Sequence, residues 1–187
     1  AGIVTTNDAD VAEKIKALRN CGQHTKNVHE YQPYNHRLDT LQAAMLHVKL
    51  PHIDTWNEGR RRNAALYTSL LSDIEGVTTP IIPAETEPVW HLYVIRTANR
   101  DQLQTYLKER GIATAIHYPT PIHLQPVYQH LNYRVGDLPV AEAYSKQVLS
   151  LPMFPELTDD QIHYVVDNIA AFMQETKSVA VSAPELS

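Results

Sequence analysis

Cysteine is almost missing from this chain. Cys21 is the single thiol among 187 residues, which excludes an internal disulfide and a cysteine-built zinc site and points to a cytoplasmic location. Long apolar runs are missing too: none approaches the roughly 20 residues that span a bilayer, and no membrane partner is expected. Basic charge is in deficit, with 16 Lys and Arg against 21 Asp and Glu and a net charge of −5 at pH 7. A nucleic-acid surface is basic and clustered, so no nucleic acid is expected. The local triplet Arg60-Arg61-Arg62 reads as a helix face paired with Glu58 and its neighbours. No glycine-rich phosphate loop, no serine on a nucleophile elbow and no paired-carboxylate cleft can be found.

Histidine, by contrast, is plentiful, at ten residues. No His-Glu-x-x-His pair stands on a helix, and the spacing of His117 and His123 across prolines has no standard ligand geometry. No metal is therefore expected, and the imidazoles are read as hydrogen-bonding groups. A hydrophobic content of 43% with 20% charged residues is that of a globular protein.

Hydrophobic periodicity organises the chain. Ile3 to Thr5 read as a strand already under way, followed by a helix capped at Asn7 or Asp8 with Val11, Ile15 and Leu18 on one face. The expectation is a C-terminal piece of a longer polypeptide. Leu38 to about Ser72 is helical, broken at Pro51; Gly76 ends it, and Val77 to Thr79 read as a short strand. Residues 80–88 are a proline-marked loop. Val89 to Thr97 alternates as a strand, and Asn99 or Asp101 opens a helix that Gly111 closes. Ile112 to Ile116 is a second strand. Leu138 to Val148 is helical, Leu149 to Met153 extended, and Thr158 with Gln161 forms a capping box. The helix behind that box turns Ile162, Val165, Val166, Ile169, Phe172 and Met173 inward, and the last residues fray.

The densest cluster of chemistry is Gly111 to Tyr128, which sets His117, Tyr118, His123, Gln125 and Tyr128 among Pro119, Pro121 and Pro126. Proline fixes φ and removes a donor, so this is a stiff loop at a strand end, a good platform for a polar ligand. The alternative is a proline-braced surface turn whose aromatics pack locally.

Four stretches, in order, resemble the DegT/DnrJ/StrS family of sugar aminotransferases. They are Gly2 to Asp8 with Lys16 to Asn20 and Cys21 to Gln23; Tyr34-Asn35-His36-Arg37 running on to Ala44; His91 to Tyr93 with Arg110 to Ile112 and His117 to Pro126; and Leu149 to Met153 with Pro155 to Thr158. The resemblance implies an α/β fold, the C-terminal part of an aspartate aminotransferase-like enzyme of PLP fold type I. Residues 1–50 would be the tail of the large domain, 51–76 a connecting helix, 77–178 a small α/β domain and 179–187 a frayed tail. It implies pyridoxal 5′-phosphate (PLP) as cofactor. The reaction would move an amino group from an amino acid, usually glutamate, to a nucleotide-linked keto sugar, in a homodimer whose active site is shared between subunits.

The resemblance also assigns residues. Asn35 matches an asparagine that reaches the cofactor phosphate of the partner subunit, with Arg37 beside it as a charged donor; the alternative is that Asn35 caps the helix at Leu38 and Arg37 pairs with Asp39 or a neighbour. His117, Tyr118 and His123 match a loop lining the sugar-nucleotide site, in a form most similar to enzymes acting at C3 of the sugar. Gly22 to Tyr31 is similar to a mobile loop at the dimer interface. No lysine of this chain occupies the family's lysine motif, so no catalytic residue is assigned and the chain alone is expected to be inactive. Two other readings stand beside this one: a PLP-dependent sugar dehydratase of the same fold, and a cofactor-free sugar-nucleotide-binding or dimerisation module.

Overall fold

The structure, a computed structural model, describes residues 2–32 and 34–182. The chain divides into two compact units, Ala1–Ile53 and Asp54–Ser187.

The first unit is built from helices α1 (Ala9–Arg19) and α2 (Thr40–Lys49). Asp8 caps α1, its Oδ1 accepting from the amides of Asp10 and Val11 at 2.9 and 3.1 Å, which satisfies donors that a helix start leaves open. The chain then reverses through Cys21 and Gly22, both at positive φ. Gly22 is required there: a Cβ would lie 2.2 Å from the Tyr31 carbonyl oxygen. Residues 22–31 form a loop closed by a bridge between Gln23 and His29. Asp39, not Asn35, caps α2, its Oδ1 accepting from Leu41 N at 2.8 Å. The break at Pro51 is a single 3-10 turn, Leu50–His52. Ile3 to Thr5 form no strand. A strand needs a partner ladder, and Ile3 lies open to solvent.

The second unit holds the core. Helix α3 (Ile53–Leu71), expected as a connector, contributes Ala64, Tyr67 and Leu71 to that core. Strands β1 (Tyr93–Arg96) and β2 (Val148–Leu151) pair antiparallel with Tyr93 opposite Leu151 and Val94 opposite Ser150. Single bridges widen this ribbon on both sides, Thr78 to Arg96 beyond β1 and Ala115 to Ser150 beyond β2. These bridges are all that forms of the strands expected at 77–79 and 112–116. The strand expected over 89–97 is shorter, because Trp90 sits at φ 52 and interrupts the extended backbone. Side chains alternate across a pleat, so Tyr93, Ile95, Leu149 and Leu151 face the core. Helix α4 (Arg100–Glu109) adds Leu103 and Leu107; its end carries the paired bonds of a Schellman motif, Gly111 N to Lys108 O and Ile112 N to Leu107 O.

Helix α5 (Pro139–Gln147) leads directly into β2. Helix α6 (Asp159–Ser182) opens on the capping box, with Thr158 N donating to Gln161 Oε1 and Gln161 N to Thr158 Oγ1, and presents the six apolar residues read from its periodicity. It remains helical to Ser182, into the first residues of the 179–187 tail expected to fray; 183–187 lie outside the described residues. Of the arginine triplet, Arg61 pairs with Glu58 as expected and with Glu87. Arg60 instead donates to the carbonyls of Trp90 and Met153, and Arg62 to that of Leu157.

Gly59 lies in α3 where a Cβ would meet the Pro155 carbonyl at 2.9 Å. In an open helix Gly→Ala stabilises by about 1 kcal/mol. Here backbone contact reverses the sign: Gly59→Ala is expected to lower the denaturation midpoint, at a cost of about 1–3 kcal/mol. A raised midpoint in urea would show that α3 and the Pro155 segment are not in this contact.

Candidate functional site

Asn35 and Arg37 lie in the extended segment between the loop of the first unit and α2. His36 N donates to Arg19 O at 3.2 Å and the Tyr34 ring stacks on His36, which fixes the local backbone. Both Asn35 and Arg37 are exposed, and Arg37 Nε donates to Asn35 Oδ1 at 3.0 Å. That bond settles which way the amide points: its oxygen is engaged by the guanidinium, and its outward capacity is the two N–H donors. Arg37 also lines a groove of about 1010 Å³ with Lys16 and Arg19, walled by Ile3, Ile15, Leu18 and Leu38. A neutral N–H beside a fixed guanidinium fork suits a phosphate, so this donor set fits the expected cofactor's anionic end.

The second set belongs to the second unit. On the face of β2 away from the core, Ser150 is buried, and its Oγ shares a 2.9 Å hydrogen bond with Nδ1 of His117. Tyr118 meets the His117 ring edge-on and is 74% exposed, a phenol held out toward solvent. The next arginine along that sheet face, Arg96, stacks 4.3 Å over the Tyr144 ring of α5.

His123 stands apart from these. It is only 7% exposed, in a 3-10 turn (Ile122–Leu124), and its Nε2 donates to Glu142 Oε1 at 3.1 Å. Glu142 also accepts from Gly136 N at 2.8 Å and from Leu138 N at 3.4 Å. His117 and His123, read together from their shared loop, therefore serve different partners. The bond from Gly136 N is the largest cause holding the Glu142 carboxyl below its ordinary range; the His123 hydrogen bond adds to it, and partial burial opposes both.

Sequence reasoning missed Ser150 and Glu142. Ser150 sits in an apolar run, where only the strand's pleat shows that it turns away from the core. Glu142 is one acid on a helix, and nothing in its neighbourhood announces its donors. In the resembling stretch His91-Leu92-Tyr93, Tyr93 is fully buried, stacks on Tyr67 at 5.0 Å and bonds Thr68, and burial pushes its hydroxyl up to about 12. It packs the core as a neutral phenol.

The depressed Glu142 carboxyl makes stability depend on pH. A group whose folded value lies below its unfolded one stabilises the fold above the unfolded value and loses that contribution as pH falls through the folded one. The stability advantage of wild type over Glu142→Gln is expected at neutral pH and is expected to vanish as pH falls through the acid range. Urea midpoints of both proteins between pH 7 and 3 measure it; an advantage that persists at low pH would contradict the linkage.

Comparison with known proteins places this geometry. The chain is 50% identical over 173 residues to a pleiotropic regulatory protein of Geobacillus stearothermophilus, covering 91% of the chain and 46% of that relative. It is 44% identical over 168 residues to the dTDP-3-amino-3,4,6-trideoxy-α-D-glucose transaminase of Streptomyces venezuelae, covering 90% and 44%. The crystal structure of S. venezuelae DesV in complex with a ketimine intermediate superposes with a TM-score of 0.85 at 43% identity, over 90% of this chain and 46% of that one. The chain thus spans about half the length of the curated relatives it matches. The family model for the DegT/DnrJ/EryC1/StrS aminotransferases matches residues 1–170, and the chain belongs to that family.

Proposed function

We propose that this chain is the C-terminal part of a PLP-dependent aminotransferase that moves an amino group from glutamate to C3 of a nucleotide-linked keto sugar. The observation that carries the reading is the His117–Ser150 bond. It fixes a stiff, proline-braced loop on a sheet face and leaves the Tyr118 hydroxyl exposed beside it, within the stretch shared with a relative named as a dTDP-amino-sugar transaminase.

The first unit is the end of the large cofactor domain and the second the small domain. Asn35 and Arg37 would hold the phosphate of PLP, across the interface of a cytoplasmic homodimer. The cofactor, when bound, supplies the electron sink for moving the amino group. The residues of this chain bind and orient. Asn35 gives phosphate an uncharged donor, and Arg37 holds the Asn35 amide with its donors outward. His117 and Tyr118 offer groups that can each donate or accept to a sugar hydroxyl or carbonyl. His123, buried against Glu142, belongs to the same loop as its inner support.

Apolar surface in the first unit supports the reading of a piece. Ala17 is its one buried hydrophobic residue among those described, while α2, the turn after it and the first residue of α3 expose Leu41, Met45 and Val48 on one side and Leu46, Leu50 and Ile53 on another. A helix apolar on two sides is a buried helix. The rest of the large domain and the partner subunit are the proposed covers.

In the full-length protein, Asn35→Ala is expected to weaken retention of PLP by about threefold to tenfold, the effect of one neutral hydrogen bond, with little change in the unfolding midpoint. Dialysis followed by cofactor absorbance checks it, and unchanged retention removes Asn35 from the cofactor site. Tyr118→Phe and His117→Ala are expected to raise KM or lower kcat for the keto sugar while sparing the glutamate half-reaction. Equal losses in both halves would point to a folding or cofactor defect. The chain by itself is expected to transfer no amino group, and turnover by it alone would overturn that expectation.

A further inference from the structure

We propose that Glu142 is the positioning residue of the sugar-nucleotide loop, acting through His123 and the Gly136 and Leu138 amides without touching the ligand. The inference rests on the reading of that loop as the substrate site.

Glu142 lies in the first turn of α5, yet its side chain is only 12% exposed. Its Oε1 accepts from Gly136 N, His123 Nε2 and Leu138 N, and its Oε2 from Gly136 N at 3.0 Å. The partners come from separate places: His123 from the 3-10 turn of the proline-rich loop, Gly136 from the segment that follows the 3-10 helix Pro126–Leu131, and Leu138 from the N-cap of α5 itself. One carboxylate therefore ties the loop and the segment that leads into α5 to the same helix. The near end is tied as well, because His117 bonds Ser150 of β2, the strand into which α5 runs. The stretch from His117 to Gly136 is thus pinned to one continuous helix–strand piece at both ends and at His123. Tyr118 projects from it between the pins, and the Tyr133 ring meets the His123 ring edge-on at 6.0 Å.

The chemistry requires a carboxylate. Donors alone converge on Glu142, and an ionised carboxylate is acceptor-only, with room for all of them. A glutamine of the same shape would offer one acceptor oxygen and an N–H₂ group. That group, in the place of Oε2, would set a donor against Gly136 N, and the bonds to Oε1 would lose the charge that strengthens them. Gly136 is at φ 100, a conformation glycine adopts freely and leaves as easily, so the bonds to Glu142 are what fix it there. A loop ordered in advance loses less entropy when a ligand binds. Loosening it should therefore weaken sugar-nucleotide binding and leave the amino-donor reaction alone.

The test compares full-length wild type with Glu142→Gln and His123→Gln, the latter keeping an N–H donor toward the carboxylate. Amide exchange of residues 133–138, dissociation constants for dTDP and UDP as probes, and the spectral half-reaction with glutamate are measured on each. The expected result for Glu142→Gln is about tenfold or greater gain in loop exchange, weaker binding of the probe that wild type binds, and an unchanged glutamate half-reaction. His123→Gln is expected to stay close to wild type. Unchanged loop exchange in Glu142→Gln overturns the inference. So does faster exchange with nucleotide affinity intact, or a parallel fall in both half-reactions with a lower unfolding midpoint. Wild type that binds neither nucleotide overturns the sugar-nucleotide reading instead, while the exchange result still decides whether Glu142 holds the loop.

Discussion

The second unit depends on one short strand. β2 is paired on both sides, with β1 along Tyr93–Arg96 and with Ala115 through the reciprocal bonds Ser150 N to Ala115 O and Ala115 N to Ser150 O. Because a pleat alternates, this single strand divides two chemistries. Leu149 and Leu151 turn into a core of α3, α4 and α6, and Ser150 turns to the opposite face to meet His117. A register slip of one residue would exchange the two sets, burying a hydroxyl in the core and exposing leucine beneath the loop. Core packing and site geometry are thus fixed by the same ladder, and neither can be altered alone.

The contacts that hold the segment after β2 follow from this. Residues 153–157 carry carbonyls that would otherwise be left open where strand passes to helix α6, and α3 answers them with Arg60, Arg62 and Asn63. A guanidinium presents donors in a fixed fork, so each arginine satisfies backbone oxygens from a helix surface at some distance. Gly59 allows the approach, since a Cβ there would crowd the Pro155 carbonyl oxygen at 2.9 Å. A basic triplet that reads in the sequence as a helix face paired with Glu58 is in this way partly a set of internal struts.

The elements whose signal is local were legible in the sequence. Asp8, the Thr158–Gln161 box and Gly111 act through bonds within a few residues, and all stand where expected. The periodicity of α6 named its buried face. What depends on distant partners was not legible. Asn35 is a favoured cap by type, but Asp39 takes that position because it directly precedes the helix. The strands expected at 77–79 and 112–116 have the right residues and make one bridge each. Trp90 at positive φ cuts the alternating run before Tyr93, a conformation that no pattern of side chains predicts. The family resemblance supplied Asn35, Arg37 and the loop residues; chain-local chemistry alone led only to a polar platform.

The two loop histidines show why residue type does not fix role. Both are imidazoles in the same proline-rich stretch, and their sequence contexts are nearly interchangeable. Burial separates them. His123, enclosed beside a carboxylate, must keep its Nε2 proton to donate to Glu142, so that nitrogen is committed within the protein. His117 bonds a serine hydroxyl, a partner that can donate or accept and so imposes no tautomer. A ring that must answer a ligand's hydroxyl or carbonyl needs that freedom, and a ring that supports a loop is better without it. The nature of the neighbour, an acceptor-only carboxylate against an adaptable hydroxyl, is what divides the two rings along this loop.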